Sequence, residues 1–260
     1  MKIGILSKRT KMLAGKLKVF FENRGDEVTI YTDKNLILNE NLFQNDFFIL
    51  KSKKLFYLYA AFYLEANNIP IFPNPELTFR HKNRIEAHFM IKQAGLTAPD
   101  YYFGTFETLR KNKDKLNFPL LLKPIMSSGS RGIKIIKSLE DLPKDANQLI
   151  YLEEYLNGTH YDVYFIKDEI CQLEKPPLSN EHVDMNKVAL SDDVKEIIIK
   201  WKNTFNIPFG HLDMVREENT EKLYVVDPGN FPEFTNWKRE GDFIVKIGNI
   251  ILEQYNQLKI

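Results

Sequence analysis

The chain has 260 residues, with 36 Lys and Arg against 35 Asp and Glu, and hydrophobic residues make up 43% of it. This composition excludes a disordered or fibrous chain and predicts one or two globular domains. A formal net charge of +1 gives no reason to expect a nucleic-acid or membrane partner. The lone Cys171 excludes a disulfide framework and a cysteine-based zinc site. Because the first apolar run is also too short for a signal peptide, we expect a soluble cytoplasmic protein.

The first part of the chain alternates between strand and helix patterns. Strands are predicted at 2–7, 28–31 and 47–50, and helices at about 10–24 and 55–66. This alternation is typical of a parallel sheet with crossover helices. The proline-rich stretch 70–75 then ends an α/β domain that we place at 1–75. No glycine fingerprint follows the first strand, so a dinucleotide site is not expected there.

The remaining part, 76–260, is predicted to be an α+β domain. Its short strands with tight turns indicate an antiparallel sheet. We predict strands at 118–123, 133–136, 148–151, 161–166, 209–215 and 222–226, and helices at 84–93, 106–115, 191–205 and 241–257.

The stretch that follows the strand at 118–123 suggests a phosphate site. Lys123 ends this strand, and the loop after it reads Ser127-Ser128-Gly129-Ser130-Arg131-Gly132. Glycines let backbone N–H groups approach phosphate oxygens, serines add donors, and a lysine supplies charge. The same residues could also form an ordinary hairpin turn with a solvated lysine. No Walker-type motif is present, because no Gly-Lys-Ser/Thr opens a helix here.

Two acids and an amide stand at the ends of a later strand pair. Asp213 lies in Gly-His-Leu-Asp, and Asp227 and Asn230 lie in Asp-Pro-Gly-Asn-Phe-Pro. Oxygen ligands from adjacent strands suit Mg²⁺. An acid at a strand end can equally be a cap or a turn residue, so the argument depends on the order and spacing of the motifs together.

Taken together, these motifs resemble those of the ATP-grasp superfamily. The matching segments are Phe-Pro-Leu-Leu-Leu-Lys-Pro, the Gly/Ser loop, Glu-Glu-Tyr-Leu, the Asp of His-Leu-Asp and the terminal Asp-Pro-Gly-Asn-Phe-Pro, within about 82–235. The resemblance implies two β-rich subdomains that clasp ATP: a nucleotide lid at about 100–157 and a metal-binding part at 158–260. The closest likeness is to the α-glutamate ligases, with a terminal motif similar to that of the inositol phosphate kinases.

The resemblance also implies roles for individual residues. Lys123 would contact the α- and β-phosphates, and the loop 127–132 would fold over the triphosphate. Glu153, Glu154, Tyr155 and Leu156 would hold adenine, and Arg84 stands where many relatives carry an ATP-contacting lysine. Asp213 and Asp227 would bind magnesium. Arg131 and Lys175 would face an anionic substrate, together with Lys238 and Arg239 if these are not merely solvated.

The chain departs from the family pattern at several positions. The family usually ends its metal motif with Glu-x-Asn, but here Asp227 replaces the Glu and Gly229 stands in the place of the Asn. Asn230 can replace that ligand only if the backbone bulges by one residue. Tyr164 stands where the α-glutamate ligases carry an arginine. His160 falls where some relatives have a ribose-binding acid, a role that Asp162 would have to take.

On this basis we expect an ATP- and Mg²⁺-dependent carboxylate–amine ligase. It would act through an acyl phosphate on a small anionic acceptor, with an amine or amino acid as the second substrate. A small-molecule kinase remains open because the Asp227-to-Pro232 spacing matches the inositol phosphate kinases without a gap. A nucleotide-binding module without turnover also remains open because the metal asparagine is displaced.

Overall fold

A computed structural model describes residues 1–126, 132–145, 148–177, 185–237 and 242–258. Within these residues the chain forms three sheets, of four, five and four strands. The four-stranded sheet formed by the N-terminal residues is parallel, and the other two are antiparallel. This arrangement confirms the predicted fold class, an α/β part followed by an α+β part.

The parallel sheet is formed by residues near the N-terminus and has the strand order β2-β1-β3-β4. Its strands are β1 (Lys2–Leu6), β2 (Glu27–Tyr31), β3 (Phe47–Leu50) and β4 (Ile71–Phe72), and its helices are α1 (Met12–Glu22) and α2 (Leu55–Ala66). Ile3, Ile5 and Leu6 are fully buried, as expected of a parallel strand covered on both faces. The three predicted strands and both helices are confirmed, and β4 is an addition within the proline-rich stretch.

Two short helices connect this sheet to the rest of the chain. They are α3 (Pro75–Lys82) and α4 (Arg84–Gln93). The side chain of Asn74 caps α3 by accepting a hydrogen bond from the Leu77 amide at 2.9 Å, and Pro75 occupies the first turn. Proline is well tolerated at that position because its missing N–H would have no helical partner. The helix α4 was predicted with these bounds, whereas α3 was not predicted.

A four-stranded antiparallel sheet follows, which we call the lid sheet. It contains β5 (Tyr101–Thr105), β6 (Leu120–Leu122), β7 (Lys134–Ile136) and β8 (Leu149–Glu154) in the order β5-β8-β6-β7, with α5 (Phe106–Lys111) against it. Its core includes Leu109, Leu120 and Leu152. Thr105 caps α5, since its hydroxyl accepts from the Thr108 amide at 3.3 Å, and the helix is shorter than the predicted 106–115.

The five-stranded antiparallel sheet, which we call the floor sheet, has the order β11-β10-β9-β12-β13. Its strands are β9 (Gly158–Ile166), β10 (Glu169–Lys175), β11 (Asn186–Lys187), β12 (Phe209–Glu217) and β13 (Leu223–Gly229), and the helices of this part are α6 (Asp192–Phe205) and α7 (Phe243–Leu258). The side chains of Trp201 and Ile198 from α6 pack into a core shared with Met90 and Ile91 of α4. The strand β10 was not predicted. Gly241, the predicted start of α7, lies outside the described residues.

Residues 155–157 alone connect β8 of the lid sheet to β9 of the floor sheet, and we call them the hinge. Gly158, which begins β9, has no room for a side chain, because an added Cβ would lie 1.9 Å from the Arg216 carbonyl oxygen. No helix in the described part of the chain has both the length and the apolar character needed to cross a bilayer.

Candidate active site

A cleft lies between the lid sheet and the floor sheet and encloses about 690 Å³, its open mouth included. The cleft brings together most of the residues predicted from the sequence. The predicted residues in its lining are Arg84, Lys123, Glu153, Glu154, Tyr155, Leu156, Lys175, Asp213 and Asp227.

Lys123 lies at the lid end of the cleft, in a buried ion pair with Glu153. Lys123 directly follows β6, and Glu153 lies near the end of the neighbouring strand β8. The second Glu153 oxygen accepts a hydrogen bond from the Tyr151 hydroxyl at 3.0 Å. Burial and the adjacent Glu153 raise the pKa of Tyr151, so this hydroxyl stays protonated as a donor. The buried carboxylate is therefore paired on both oxygens.

Apolar side chains form one wall of the cleft. They come from both sheets and from the hinge, and are Leu121, Ile133, Leu156, Val215 and Val226. A mostly apolar wall with a few fixed polar groups is the usual composition of a site for a flat organic ring. This part of the cleft is adjacent to Glu154 and Tyr155, the residues predicted to hold adenine.

Arg84 links the lid side of the cleft to the floor side. Its backbone amide donates to the Ile125 carbonyl oxygen at 2.9 Å, and its Nη1 lies 2.8 Å from Asp227 Oδ1. Burial works to raise the pKa of Asp227, but Arg84 and Lys53 outweigh it and hold this pKa below its usual value. Asp227 is therefore an anion at neutral pH, as the predicted metal role requires.

Asp213 lies opposite Asp227 on the paired strands β12 and β13. Lys175 Nζ, from β10, lies 2.7 Å from Asp213 Oδ1. This contact shows that Lys175 faces the cleft, although β10 itself was not predicted. His160 also lines the cleft, and burial lowers its pKa to about 4, so it is neutral at pH 7.

Asp162 was predicted as a nucleotide residue, but the structure does not include it in the cleft lining. It is 6% exposed and lies opposite Asp213 on the neighbouring strand β9. Burial, reinforced by the Asp213 charge, raises the pKa of Asp162. The Asp162 side chain therefore lies on the same face of the floor sheet as Asp213 and is more deeply buried.

Asn230 was predicted as a metal ligand, and the structure places it elsewhere. The backbone does bulge, but at Val226, because Asp213 pairs with Asp227 while Met214 pairs with Val225. Since side chains alternate along a strand, Gly229 shares the face of Asp227, and Asn230 follows the end of β13. Asn230 is 2% exposed and its amide nitrogen donates to the Thr78 hydroxyl at 2.8 Å. The metal motif of the cleft thus lacks this amide.

The predicted phosphate loop is described only at its ends. Ser127, Ser128, Gly129, Ser130 and Arg131 lie outside the described residues, as do Lys238 and Arg239. Gly132 has φ +77°, and an added Cβ would lie 3.0 Å from Pro124 Cγ. A left-handed backbone favours glycine, and the contact shows that Gly132 lies beside Pro124, the residue that follows Lys123.

A group of cations near Asp227 was not predicted. Lys51 and Lys53 follow β3, and Lys82 ends α3. Burial, opposed by the charge of Asp227 and assisted by the charges of Lys82, Arg84 and Lys51, lowers the pKa of Lys53 to about 8. Lysines that follow a predicted parallel strand were a usable signal, because the carboxyl ends of such strands are common ligand sites.

Solved structures share this arrangement over nearly the whole chain. A RimK domain protein of ATP-grasp type from Sphaerobacter thermophilus matches with a TM-score of 0.77 and 12% identity, over 97% of this chain and 100% of that one. D-alanine–D-alanine ligase from Bacillus anthracis, solved with ATP, matches with a TM-score of 0.73 and 16% identity, over 99% and 98%. The chain has the ATP-grasp fold. The resemblance stated from the sequence motifs is thereby confirmed.

Sequence comparison gives matches over shorter lengths. The chain is 35% identical over 107 residues to a formate-dependent phosphoribosylglycinamide formyltransferase from Prochlorococcus marinus, which covers 36% of this chain and 27% of that enzyme. It spans less than two thirds of the length of the curated relatives it matches. No protein-family model matches the chain. The ATP-grasp assignment therefore rests on the fold and on the order of the motifs.

Proposed function

We propose that this protein is an ATP- and Mg²⁺-dependent carboxylate–amine ligase that acts on a small anionic acceptor through an acyl phosphate. The single observation that carries the proposal is the cleft between the two antiparallel sheets, in which Lys123 and Arg84 line the same space as Asp213 and Asp227. The D-alanine–D-alanine ligase with the same fold supports the reaction class.

The cleft has the features that a nucleotide needs. The apolar wall, with Leu121 and Leu156 as members, suits a base, and Lys123 at the end of β6 suits phosphate oxygens. Bound ATP would supply the phosphoryl group that activates the acceptor carboxylate. The chain's own part is to hold reacting oxygens together and to stabilise charge that develops between them.

The two acids at the floor of the cleft suit a hard divalent cation. Asp213 and Asp227 are cross-strand partners and both line the cleft. Carboxylate oxygens are the usual protein ligands of Mg²⁺, which also keeps several waters and binds substrate phosphates. Arg84 and Lys175, which now pair with these acids, are well placed to contact phosphate oxygens once a metal takes the carboxylates.

The parallel sheet supports an anionic acceptor. Its strand order puts β2 and β3 on opposite sides of β1. The order in which strands are added to the sheet therefore reverses between β1 and β3. Ligands of open α/β sheets commonly bind at the carboxyl ends of strands at such a switch point. Lys51 and Lys53 follow β3 there, and Lys53 interacts electrostatically with Asp227. An acceptor held by these lysines would present its carboxylate to the cleft.

Hydroxylamine trapping tests the reaction class. The protein is incubated with Mg-ATP, hydroxylamine and a panel of small di- and tricarboxylates and phosphorylated acids. A ligase gives an acyl hydroxamate and inorganic phosphate, since hydroxylamine attacks the acyl phosphate in place of the amine. A phosphoester with ADP and no hydroxamate would indicate a kinase and overturn the proposal, as would an absence of any ADP formation.

The matched control is Asp227→Asn. This change keeps the shape of the side chain but removes its charge, so hydroxamate formation should fall by more than tenfold while nucleotide binding, measured by calorimetry, changes less. An equal loss of both would contradict the metal role of Asp227.

A further inference from the structure

Three side chains on the cleft-facing side of the floor sheet form a cluster with metal-binding chemistry. Asp162 of β9 and His211 and Asp213 of β12 each offer one ligand atom, and these three atoms lie within 4.8 Å of one another. Two ligand atoms at the tetrahedral angle on one metal are about 3.6 Å apart when each bond is about 2.2 Å. Adjustments of the three side chains would therefore bring these atoms to the spacing that one ion requires.

Two atoms of this cluster lack partners. Asp162 Oδ1 and His211 Nδ1 are buried, and neither has a hydrogen-bond partner among the described residues. Asp162 is 6% exposed, and a buried polar atom without a partner costs about 1–3 kcal/mol. Like charges directly across a strand pair are also unfavourable, and Asp162 and Asp213 are such a pair. A cation between these groups would remove both problems.

The imidazole of His211 is held in place from two sides. On one side the ring of Tyr164 stacks on it, with centroids 5.7 Å apart and an interplanar angle of 27°. On the other side lies Gly229, where an added Cβ would come within 2.0 Å of the imidazole Cε1. His211 thus fills the space that a side chain at position 229 would need. A ring fixed in this way is suited to act as a ligand without a large loss of entropy.

We infer that Asp162, His211 and Asp213 form a binding site for a first-row divalent transition metal such as Mn²⁺ or Zn²⁺. The site is distinct from the oxygen-only pair Asp213 and Asp227, although it shares Asp213 with that pair. An imidazole with two carboxylates suits such metals, whereas Mg²⁺ prefers oxygen ligands and water. The inference does not require turnover, since it concerns metal binding by the protein without nucleotide.

Mn²⁺ binding to the full chain without nucleotide tests this inference. The loss of the free Mn²⁺ signal in electron paramagnetic resonance gives the affinity, and Zn²⁺ and Mg²⁺ are then added separately as competitors. We expect one Mn²⁺ site that Zn²⁺ displaces and an equal concentration of Mg²⁺ does not. Easy displacement by Mg²⁺, or no Mn²⁺ binding, would overturn the inference.

Variants assign the ligands. His211→Gln and Asp162→Asn should each weaken Mn²⁺ binding at least about tenfold, since even the outer partners of metal ligands contribute 10–100-fold. Asp168→Asn, which changes a fully exposed acid in the turn between β9 and β10, is the matched control and should leave nucleotide-free Mn²⁺ affinity unchanged. Unchanged binding in His211→Gln, or a loss confined to Asp227→Asn, would contradict the assignment. Far-UV circular dichroism checks that each variant is folded.

Lys175→Met should change the Mn²⁺ affinity in the opposite direction, because it leaves all three ligands in place. The Lys175 ammonium lies 2.7 Å from Asp213 Oδ1 and competes with a metal for this carboxylate. Its removal should tighten Mn²⁺ binding, because one positive charge leaves the site. Weaker binding in this variant would contradict the proposal. The hydroxamate assay reads a separate property, so failure of either experiment leaves the other interpretable.

Discussion

The lid end and the floor end of the cleft each carry a lysine paired with a carboxylate, but the surroundings of the two pairs differ. Lys123 and Glu153 are each 5% exposed, and Tyr151 donates to the second Glu153 oxygen. Lys175 and Asp213 are 21% and 22% exposed, and lie beside two buried atoms without partners, Asp162 Oδ1 and His211 Nδ1. The lid end is thus balanced by the chain itself, whereas the floor end has unused ligand atoms.

This difference shows how one cleft can combine a preformed part with a part that needs a ligand. Buried charge is tolerated when its partners are complete, which is the condition of Glu153. Buried polar atoms without hydrogen-bond partners are rare in folded proteins, and a functional role is one reason for those that occur. The predictions that follow test the contrast between the two ends.

The largest expected effect is that of Lys123→Met on stability. The change leaves Glu153 buried without its cation, and loss of one partner of a buried pair typically costs about 3–5 kcal/mol. Lys175→Met should cost about 1 kcal/mol or less, as is typical of partly exposed pairs. Urea unfolding of both variants measures the difference. In the double variant Lys123→Met with Glu153→Gln, much of the lost stability should be restored. Equal losses of stability in the two lysine variants would contradict the proposed difference between the two ends of the cleft.

The second prediction concerns the contact between His211 and Gly229. Gly229→Ala should destabilise the protein by about 1–3 kcal/mol, because the new methyl group would overlap the imidazole ring. In a His211→Ala background the same change should cost less, since the ring is gone. A double-mutant cycle from urea unfolding gives the coupling between the two positions. Purely additive costs would show that His211 does not occupy this space.

The smallest expected effect is a dependence of acceptor binding on pH. The pKa of Lys53 is lowered to about 8, so its positive charge is present below pH 8 and is lost as the pH rises through that value. The KM for an anionic acceptor should therefore rise several-fold between pH 7 and pH 9. Lys53→Met should have a high KM at both pH values. The neighbouring exposed Lys54 provides the control variant, Lys54→Met, in which the wild-type pH dependence should persist.

The sequence predicted most of the cleft because its residues lie at the ends of regular elements. Lys123 follows an apolar strand, and Asp213 and Asp227 lie on two strands joined by a short turn. Pairing of these strands then brings the acids together without further information. The helices α2 and α4 were predicted with the bounds that the structure gives.

The misplaced residues depended on features that the sequence pattern does not contain. Asn230 was a candidate ligand only if the backbone bulged between it and Asp227, but the bulge lies at Val226. Asp162 lies on β9, which pairs with β10 on one side and β12 on the other, and the sequence pattern does not show that its side chain is only 6% exposed. His211 was noted only as a neighbour of Asp213, because its fit against Gly229 depends on the pairing of β12 with β13.

Glu233 connects three separate segments through one carboxylate. Its Oε1 lies 3.0 Å from Lys51 Nζ, and its Oε2 accepts from the Leu13 amide at 3.2 Å. Glu233 therefore fastens the start of α1 and the end of β3 to the loop that follows Asp227. A chimera in which the N-terminal sheet comes from another protein would need a lysine and a helix start that match Glu233. Otherwise Glu233 would have to be replaced together with the sheet.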